Sequence, residues 1–314
     1  MITLDHLFKI FDETVAVNDV SFTVRAGEIF GIIGPDSAGK TTTLRVMATA
    51  MEPTKGTVTV DGHDVVKEAE RVKNLIGYMP QRFALYPDLT VLENLNFFAD
   101  LFGASRRERA ARLERLLSFA RLTDFTQRQA QNLSGGMQKK LALAATLMHR
   151  PRVLLLDEPT TGVDPVSRRE FWDLLTDVHL EGVTIVVSTP YLDEAERCAR
   201  VALMHRGNLV AYDEPNRLRA QLGAFVLEGH SVQARAAEQA LAHLEGVLNV
   251  NTYGDVVRLI VDDPARLTAI QNAWQTRGIV IHHLQEVKPR LEDVFVLKMR
   301  QANQNVETFQ RSNV

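Results

Sequence analysis

The eight residues Gly34-Pro35-Asp36-Ser37-Ala38-Gly39-Lys40-Thr41 constrain this chain more than any other stretch. They match G-x-x-x-x-G-K-[ST] in full, and they stand where that pattern has a mechanism, after the apolar run "EIFGII" and before a segment suited to a helix from about Lys40. In a strand, glycine loop and helix of this kind, the loop N–H groups and the positive end of the helix face one point. The loop therefore predicts a phosphate site built from Gly34, Pro35, Asp36, Ser37, Ala38, Gly39, Lys40, Thr41 and Thr42. Lys40 adds a point charge, and the Thr41 hydroxyl is a ligand for Mg²⁺. Ser37 keeps the backbone N–H that a glycine would offer. Its cost depends on the backbone: negligible at negative φ, about 1–2 kcal/mol at positive φ.

The rest of the chain reads as strands alternating with helices. "NLIGYMP", "RVLLLD" and "VTIVVS" are short apolar strands, and helical periodicity runs over 91–102, from Ser105 as N-cap, and near 167–180. Continuous apolar strands between helices imply a parallel sheet covered on both faces. From about Gly223 the order becomes β-α-β-β-α-β, which resembles a ferredoxin-like module, and the polar run after Arg300 reads as a frayed tail. The predicted division is 1–222, with a helical part at about 82–150, then 223–300 as an α+β accessory domain, then 301–314 as a flexible tail. A length of 314 residues accommodates one sizeable domain and a smaller one.

A net charge of −3 supplies no basic footprint, so nucleic acid is disfavoured as a partner. The single cysteine, Cys198, excludes an intrachain disulfide framework and points to a reducing compartment such as the cytosol. "MITLDHLFKIFDE" lacks a signal pattern, and no run approaches the roughly 18 apolar residues of a membrane span, so the chain is not expected to cross a bilayer by itself. His282 and His283 adjoin on a predicted strand, where side chains alternate faces, and with no second cluster the nine histidines are assigned no metal.

Two further motifs carry chemistry. "RVLLLDEP" ends a buried strand on Asp157 and Glu158, an expensive place for carboxylates unless a cation or a proton-transfer task accompanies them. Beside a phosphate loop, Asp157 reads as the metal-side group and Glu158 as the base on water. "LSGGMQ", Leu133 to Gln138, opens a helix with small residues and could also receive phosphate.

With GPDSAGKTT, GYMPQ, LSGGMQ, LLLDEP and TTGVD in this order, residues 1 to about 222 resemble the ATP-binding subunits of ABC transporters, a P-loop α/β fold with an antiparallel β subdomain and a helical subdomain. The resemblance implies ATP and Mg²⁺ as ligands and a second ATP-binding subunit, identical or not, with two nucleotides sandwiched between them. It implies that Gln81 senses Mg²⁺ and the transmembrane partner, that Asp157 supports the metal and that Glu158 polarises water. Ser134, Gly135, Gly136 and Gln138 would serve the nucleotide across the dimer, Asp164 would lie on its seam, and Phe11 falls at the adenine-stacking position. "YLDEAE" from Tyr191 and "PRLEDVF" look like ABC-2 type exporters, which implies a transmembrane permease as partner and a peripheral place on the cytoplasmic face of the inner membrane. "LEDVF" by itself reads as a packed helix turn. The aromatic-rich segment after Gln81, with Phe83, Leu85, Tyr86, Leu89, Phe97 and Phe98, reads partly as core and partly as the permease groove, and "SRRERAAR" as a solvated helix face.

Two positions depart from the family pattern. Ser37 stands for a glycine, and Pro190 stands for the histidine that contacts the γ-phosphate. Proline offers neither a side-chain donor nor an N–H, so slow hydrolysis is expected unless Ser188, Thr189 or Tyr191 takes over the contact. The alternatives to a working exporter subunit are a weakly hydrolysing regulatory subunit and a soluble ABC ATPase acting on nucleic acid or ribosomes.

Overall fold

The computed structural model describes residues 1–82, 85–103, 105–241 and 244–311. β1 (Ile2–Phe11) and β2 (Thr14–Val24) pair antiparallel, and in β2 the buried Val20, Phe22 and Val24 alternate with exposed Ser21 and Thr23 as a half-buried strand requires. β3 (Ile29–Ile33) leads into the phosphate loop and α1 (Lys40–Met47). β4 (Lys55–Val60) and β5 (His63–Asp64) complete an antiparallel sheet of order β2-β1-β4-β5. α2 (Ala69–Leu75) and β6 (Ile76–Met79) return the chain to the main sheet.

α3 (Val91–Leu101), α4 (Arg106–Phe119) and α5 (Gly135–Thr146) make up the helical part, each opened by a side-chain cap, Thr90, Ser105 and Ser134 respectively. β7 (Val153–Asp157), α6 (Pro165–Leu180), β8 (Thr184–Thr189), α7 (Leu192–Ala195), β9 (Arg200–His205) and β10 (Asn208–Asp213) follow. The second sheet has the order β10-β9-β3-β8-β7-β6, parallel from β9 through β6. Every residue of β3, β7, β8 and β9 is buried, which is why these strands read as unbroken apolar runs. Their carboxyl ends bring the phosphate loop, Asp157 and Thr189 to one edge.

The chain separates into two compact units, 1–212 and 213–314. The second begins ten residues before Gly223, and within it α8 (Pro215–Ala220) packs with the last helix. It continues with β11 (Phe225–His230), α9 (Ala234–Leu241), β12 (Val247–Tyr253), β13 (Val256–Val261), α10 (Leu267–Gln275), β14 (His282–Val287) and α11 (Leu291–Arg311). The antiparallel sheet has the order β12-β13-β11-β14, the ferredoxin-like arrangement, with Ala237, Leu241, Ile270 and Trp274 in its core. α11 corrects one expectation: the helix does not stop at Arg300 but runs to Arg311, since no proline or glycine interrupts "QANQNVETFQR". Phe83 of the aromatic segment lies outside the described residues.

Candidate functional site

α1 lacks a side-chain cap, whereas α5 and α6 begin on Ser134 and Asp164. Its N-cap is Gly39 in the left-handed region, φ 98°, and its first-turn N–H groups are left for a ligand. Glycine is obligatory twice. A Cβ on Gly39 would stand 2.5 Å from the Ala16 carbonyl oxygen, and one on Gly34 would stand 2.3 Å from that of Met204. Ser37 has φ 63°, so the unfavourable branch of the expectation holds: a β-carbon here costs about 1–2 kcal/mol, while the N–H survives.

Lys40 is 4% exposed, and its ammonium donates to the carbonyls of Gly34 and Pro35, both at 2.9 Å. It also stands 3.1 Å from Glu158 Oε1, an ion pair not anticipated from the sequence. Gln81 Nε2 donates to Glu158 Oε2 at 2.8 Å, and the Thr161 hydroxyl donates to the same oxygen at 3.2 Å. Glu158 is thus held by three donors from three segments. Glu158 itself has φ 46°, a strained turn directly after a buried strand.

Asp157 accepts from the hydroxyls of Ser188 at 2.7 Å and Thr41 at 3.0 Å. Burial pushes its carboxyl above the ordinary aspartate value, and the two hydroxyls oppose the shift. The Ser188 hydroxyl also accepts from the Glu158 N–H at 3.0 Å, so one side chain positions both acids. Ser188 was read only as a stand-in for the missing histidine; the signal for its actual place is register, since it pairs with Asp157 on the neighbouring parallel strand. Lys139 was missed. Its ammonium donates to the Gln81 carbonyl at 2.8 Å, tying α5 to the loop after β6, and burial holds its pKa below the usual lysine range.

A cleft brings together Asp36, Ser37, Ala38, Gly39, Lys40, Thr41, Thr42, Gln81 and Glu158. Gly34 and Pro35 support it through the carbonyls that hold Lys40. Ser134, Gly135, Gly136 and Gln138 do not line it. The Ser134 hydroxyl caps α5, the Gln138 amide donates to the Ala130 carbonyl, and a Cβ on Gly136 would come within 2.5 Å of Ser167. Asp164 caps α6, accepting from Val166 N and Ser167 N, which lowers its pKa. Phe11 ends β1, 41% exposed, with Lys9 Nζ 5.0 Å from its ring centroid, and does not line the cleft. Around Pro190 the hydroxyls are engaged: Ser188 as above, and Thr189 Oγ1 with the Tyr191 N–H at 3.0 Å. The Tyr191 ring lies under the Arg168 guanidinium, 4.3 Å from its centroid.

The cleft offers uncapped helix N–H groups and an ammonium for phosphate, and the Thr41 hydroxyl, the Asp157 carboxylate and the Gln81 amide as hard oxygen donors of the type Mg²⁺ takes. The residues therefore fit both groups. Among the described residues no three His, Cys, Asp or Glu side chains stand together as a metal cage, so the fit to Mg²⁺ relies on phosphate oxygens and water for the remaining positions.

Residues 17–161 match the family model of the ABC transporter, and residues 214–299 match that of the C-terminal domain of DrrA1-3-like ATP-binding proteins. The chain is 42% identical over 300 residues to the "probable multidrug ABC transporter ATP-binding protein YbhF" of Escherichia coli, covering 94% of this chain and 51% of that protein. It thus spans about half the length of that relative. It is 35% identical to the "daunorubicin resistance ATP-binding protein DrrA3" of Streptomyces coeruleorubidus, with 94% of each chain covered. The solved dimer of the ATP-binding cassette MJ0796 in a post-hydrolysis state, bound to ADP and Pi, superimposes with a TM-score of 0.61 at 28% identity, over 68% of this chain and 98% of that one.

Proposed function

Because the chain belongs to the ATP-binding subunits of ABC transporters, an ABC ATPase family, we propose that it binds and hydrolyses ATP to drive an ABC-2 type exporter. The observation that carries this reading is the convergence of Lys40, Gln81, Asp157 and Glu158 at the uncapped start of α1, with Glu158 inside the cleft that the phosphate loop lines. The names of the relatives, resistance and multidrug ATP-binding proteins, support transport over nucleic-acid work or a purely regulatory role. Exposed rings at Tyr86, Phe97 and Phe102 support a permease contact: Tyr86 and Phe97 pack edge-on at 4.7 Å, and the stack continues through Phe98. No described helix is long and apolar enough to cross a membrane. In this reading the chain sits peripherally on the cytoplasmic face of the inner membrane and closes against a second ATP-binding subunit, whose nucleotide meets Ser134, Gly135 and Gly136.

Thr41, Asp157 and Gln81 would hold Mg²⁺, which neutralises phosphate charge when bound. Phosphate in the loop competes for the Lys40 ammonium against Glu158, and each step toward phosphate frees Glu158 Oε1 to accept a proton from water. The loop N–H groups and Lys40 stabilise charge, and Phe11 offers a ring face for adenine. Pro190 supplies no donor, so turnover is slow, by on the order of 10²-fold relative to a site with that contact. Steady-state ATPase assays of the parent and Pro190→His, with and without the permease, test the site: the variant should turn over faster at similar affinity, and brisk parent turnover unchanged by Pro190→His contradicts it. Purification from membranes tests the partner. An ABC-2 permease should accompany the chain, and recovery with ribosomes or nucleic acid instead would overturn the exporter reading.

A further inference from the structure

The described residues form concavities besides the nucleotide cleft. At the opposite, amino-terminal edge of β7 and β8 lies a cavity of about 320 Å³. The four rises from Val153 to Asp157, about 3.3 Å each, put roughly 13 Å of strand between it and the acids of the cleft. One wall is α4, which presents Arg112, Arg115, Leu116 and Phe119 at i, i+3, i+4 and i+7, hence on a single face. The other walls are the turn from α5 to β7, with Leu147, Arg150 and Arg152, and the end of α6 with the turn into β8, with Val178, Glu181 and Val183. The floor is apolar, while four guanidinium groups stand at the wall and only one carboxylate, Glu181, lines it.

Three of these arginines have partners. Arg115 pairs with Glu181, Arg152 with Asp61, and Arg112 Nη2 lies 3.5 Å from Glu108 Oε1 while its Nη1 donates to the Met148 carbonyl at 3.2 Å. The satisfaction is incomplete. Arg112 Nε is fully buried and has no hydrogen-bond partner. The Arg150 side chain makes no hydrogen bond or ion pair with any described residue, although its charge is felt at Glu108, and its backbone sits at φ 56° in the left-handed region. At the mouth of this apolar pocket stands an exposed guanidinium with no described partner, Arg150, beside Arg112, whose Nε lacks an acceptor; the excess of guanidinium over carboxylate suits a carboxylate or phosphate oxygen and disfavours a cation or a purely apolar guest.

We propose that this cavity is a second ligand site, for a small amphipathic anion with a one- or two-ring or short alkyl body and a single carboxylate or phosphate head. The volume is at the lower end of the range of small-molecule pockets, which suits a body of that size. The head reaches the Arg112 and Arg150 guanidiniums, and the body rests on Leu116, Phe119 and Leu147. Because α4 and the end of α5 belong to the helical part and the other walls to the sheet edge and the end of α6, the bound molecule touches both. The inference does not rest on the exporter reading and is independent of the nucleotide cleft.

Calorimetry on the full chain with 2-naphthoate and its neutral counterpart 2-naphthamide tests it. Naphthoate should bind at least 10-fold more tightly than the amide and should not be displaced by saturating Mg-ATP. Arg150→Glu, a change at an exposed side chain, should weaken naphthoate at least 10-fold and leave Mg-ATP binding as in the parent. Val183→Phe, which fills the cavity from the turn before β8, should weaken both probes. Equal affinity of acid and amide, parent-like naphthoate binding in Arg150→Glu, displacement by ATP, or no binding below millimolar concentration would each overturn the proposal.

Discussion

Two carboxylates are buried against cations in this molecule to almost the same degree, and they do opposite things. In the first unit Lys40 and Glu158, 4% and 6% exposed at the side chain, stand 3.1 Å apart; in the second, Arg258 and Asp293, also 4% and 6%, stand 2.8 Å apart. Asp293 is saturated. Arg258 grips it through Nε at 2.9 Å and Nη2 at 2.8 Å, and the Arg290 N–H caps it at 2.6 Å, so the start of α11 is fastened to β13. Arg258 also pairs with Glu228. Glu158 instead holds its lysine by one contact, on a loop with Ser37 and Gly39 at positive φ, in a cleft open to ligand. A planar fork closed on both oxygens is a clamp, and a single ammonium contact that phosphate can outbid is a latch.

The largest expected difference comes from removing each cation. Arg258→Ala leaves Asp293 buried without a counter-charge, while Glu228 keeps Arg290, and should cost about 3–5 kcal/mol, read by denaturant unfolding with hydrogen exchange on β11 and β13. Lys40→Ala should cost no more than about 1 kcal/mol of stability, because Glu158 keeps Gln81 and Thr161 as donors and the cleft admits water. Equal losses would break the distinction between clamp and latch. Next in size, Glu158→Gln should reduce ATP turnover on the order of 10²-fold or more in a single-turnover assay while ATP stays bound, since the amide cannot accept the proton. Undiminished turnover would mean that another group is the base.

A smaller effect sharpens the cost of burying an acid at the cleft. Asp157 has a raised pKa in the folded protein, so the folded state favours the protonated carboxyl and the burial penalty of the ionised form sets in as pH rises from the ordinary aspartate value through the folded one. Asp157→Asn should therefore gain stability relative to the parent across that window and stay ahead at neutral pH, while Mg²⁺-dependent nucleotide binding falls. A parent whose advantage grows with pH contradicts the assignment. The smallest change is Ser37→Gly, which should recover about 1 kcal/mol of backbone strain, with ATP affinity equal or improved.

The clamp and the latch also differ in how far the sequence announced them. The phosphate loop, Asp157 and Glu158 were legible because a motif fixes them on a strand end and a helix start, where main-chain geometry leaves little freedom. The ferredoxin-like order was legible for a similar reason: period-2 and period-3.6 patterns report which faces are buried. Side-chain partners are another matter. That Lys40 meets Glu158, that Ser188 bridges both acids and that Lys139 reaches Gln81 depend on parallel register and on segments 30 to 118 residues apart. "LEDVF" read as a packed turn, and Asp293 does pack there, but its Arg258 lies 35 residues upstream on a different strand. The sign of φ at Ser37 is set by the loop's closure onto Lys40, which composition does not report. The division at Tyr212 was missed, and no local pattern records that α8 packs with α11.

Phosphate should take the Lys40 ammonium that Glu158 now holds. Equilibrium titration of Mg-ATP into the parent and Lys40→Ala, with folding of both verified, tests it most directly. Loss of one buried, charge-assisted set of contacts predicts an affinity lower by on the order of 10²-fold. A Lys40→Ala chain that binds Mg-ATP as the parent does would contradict it.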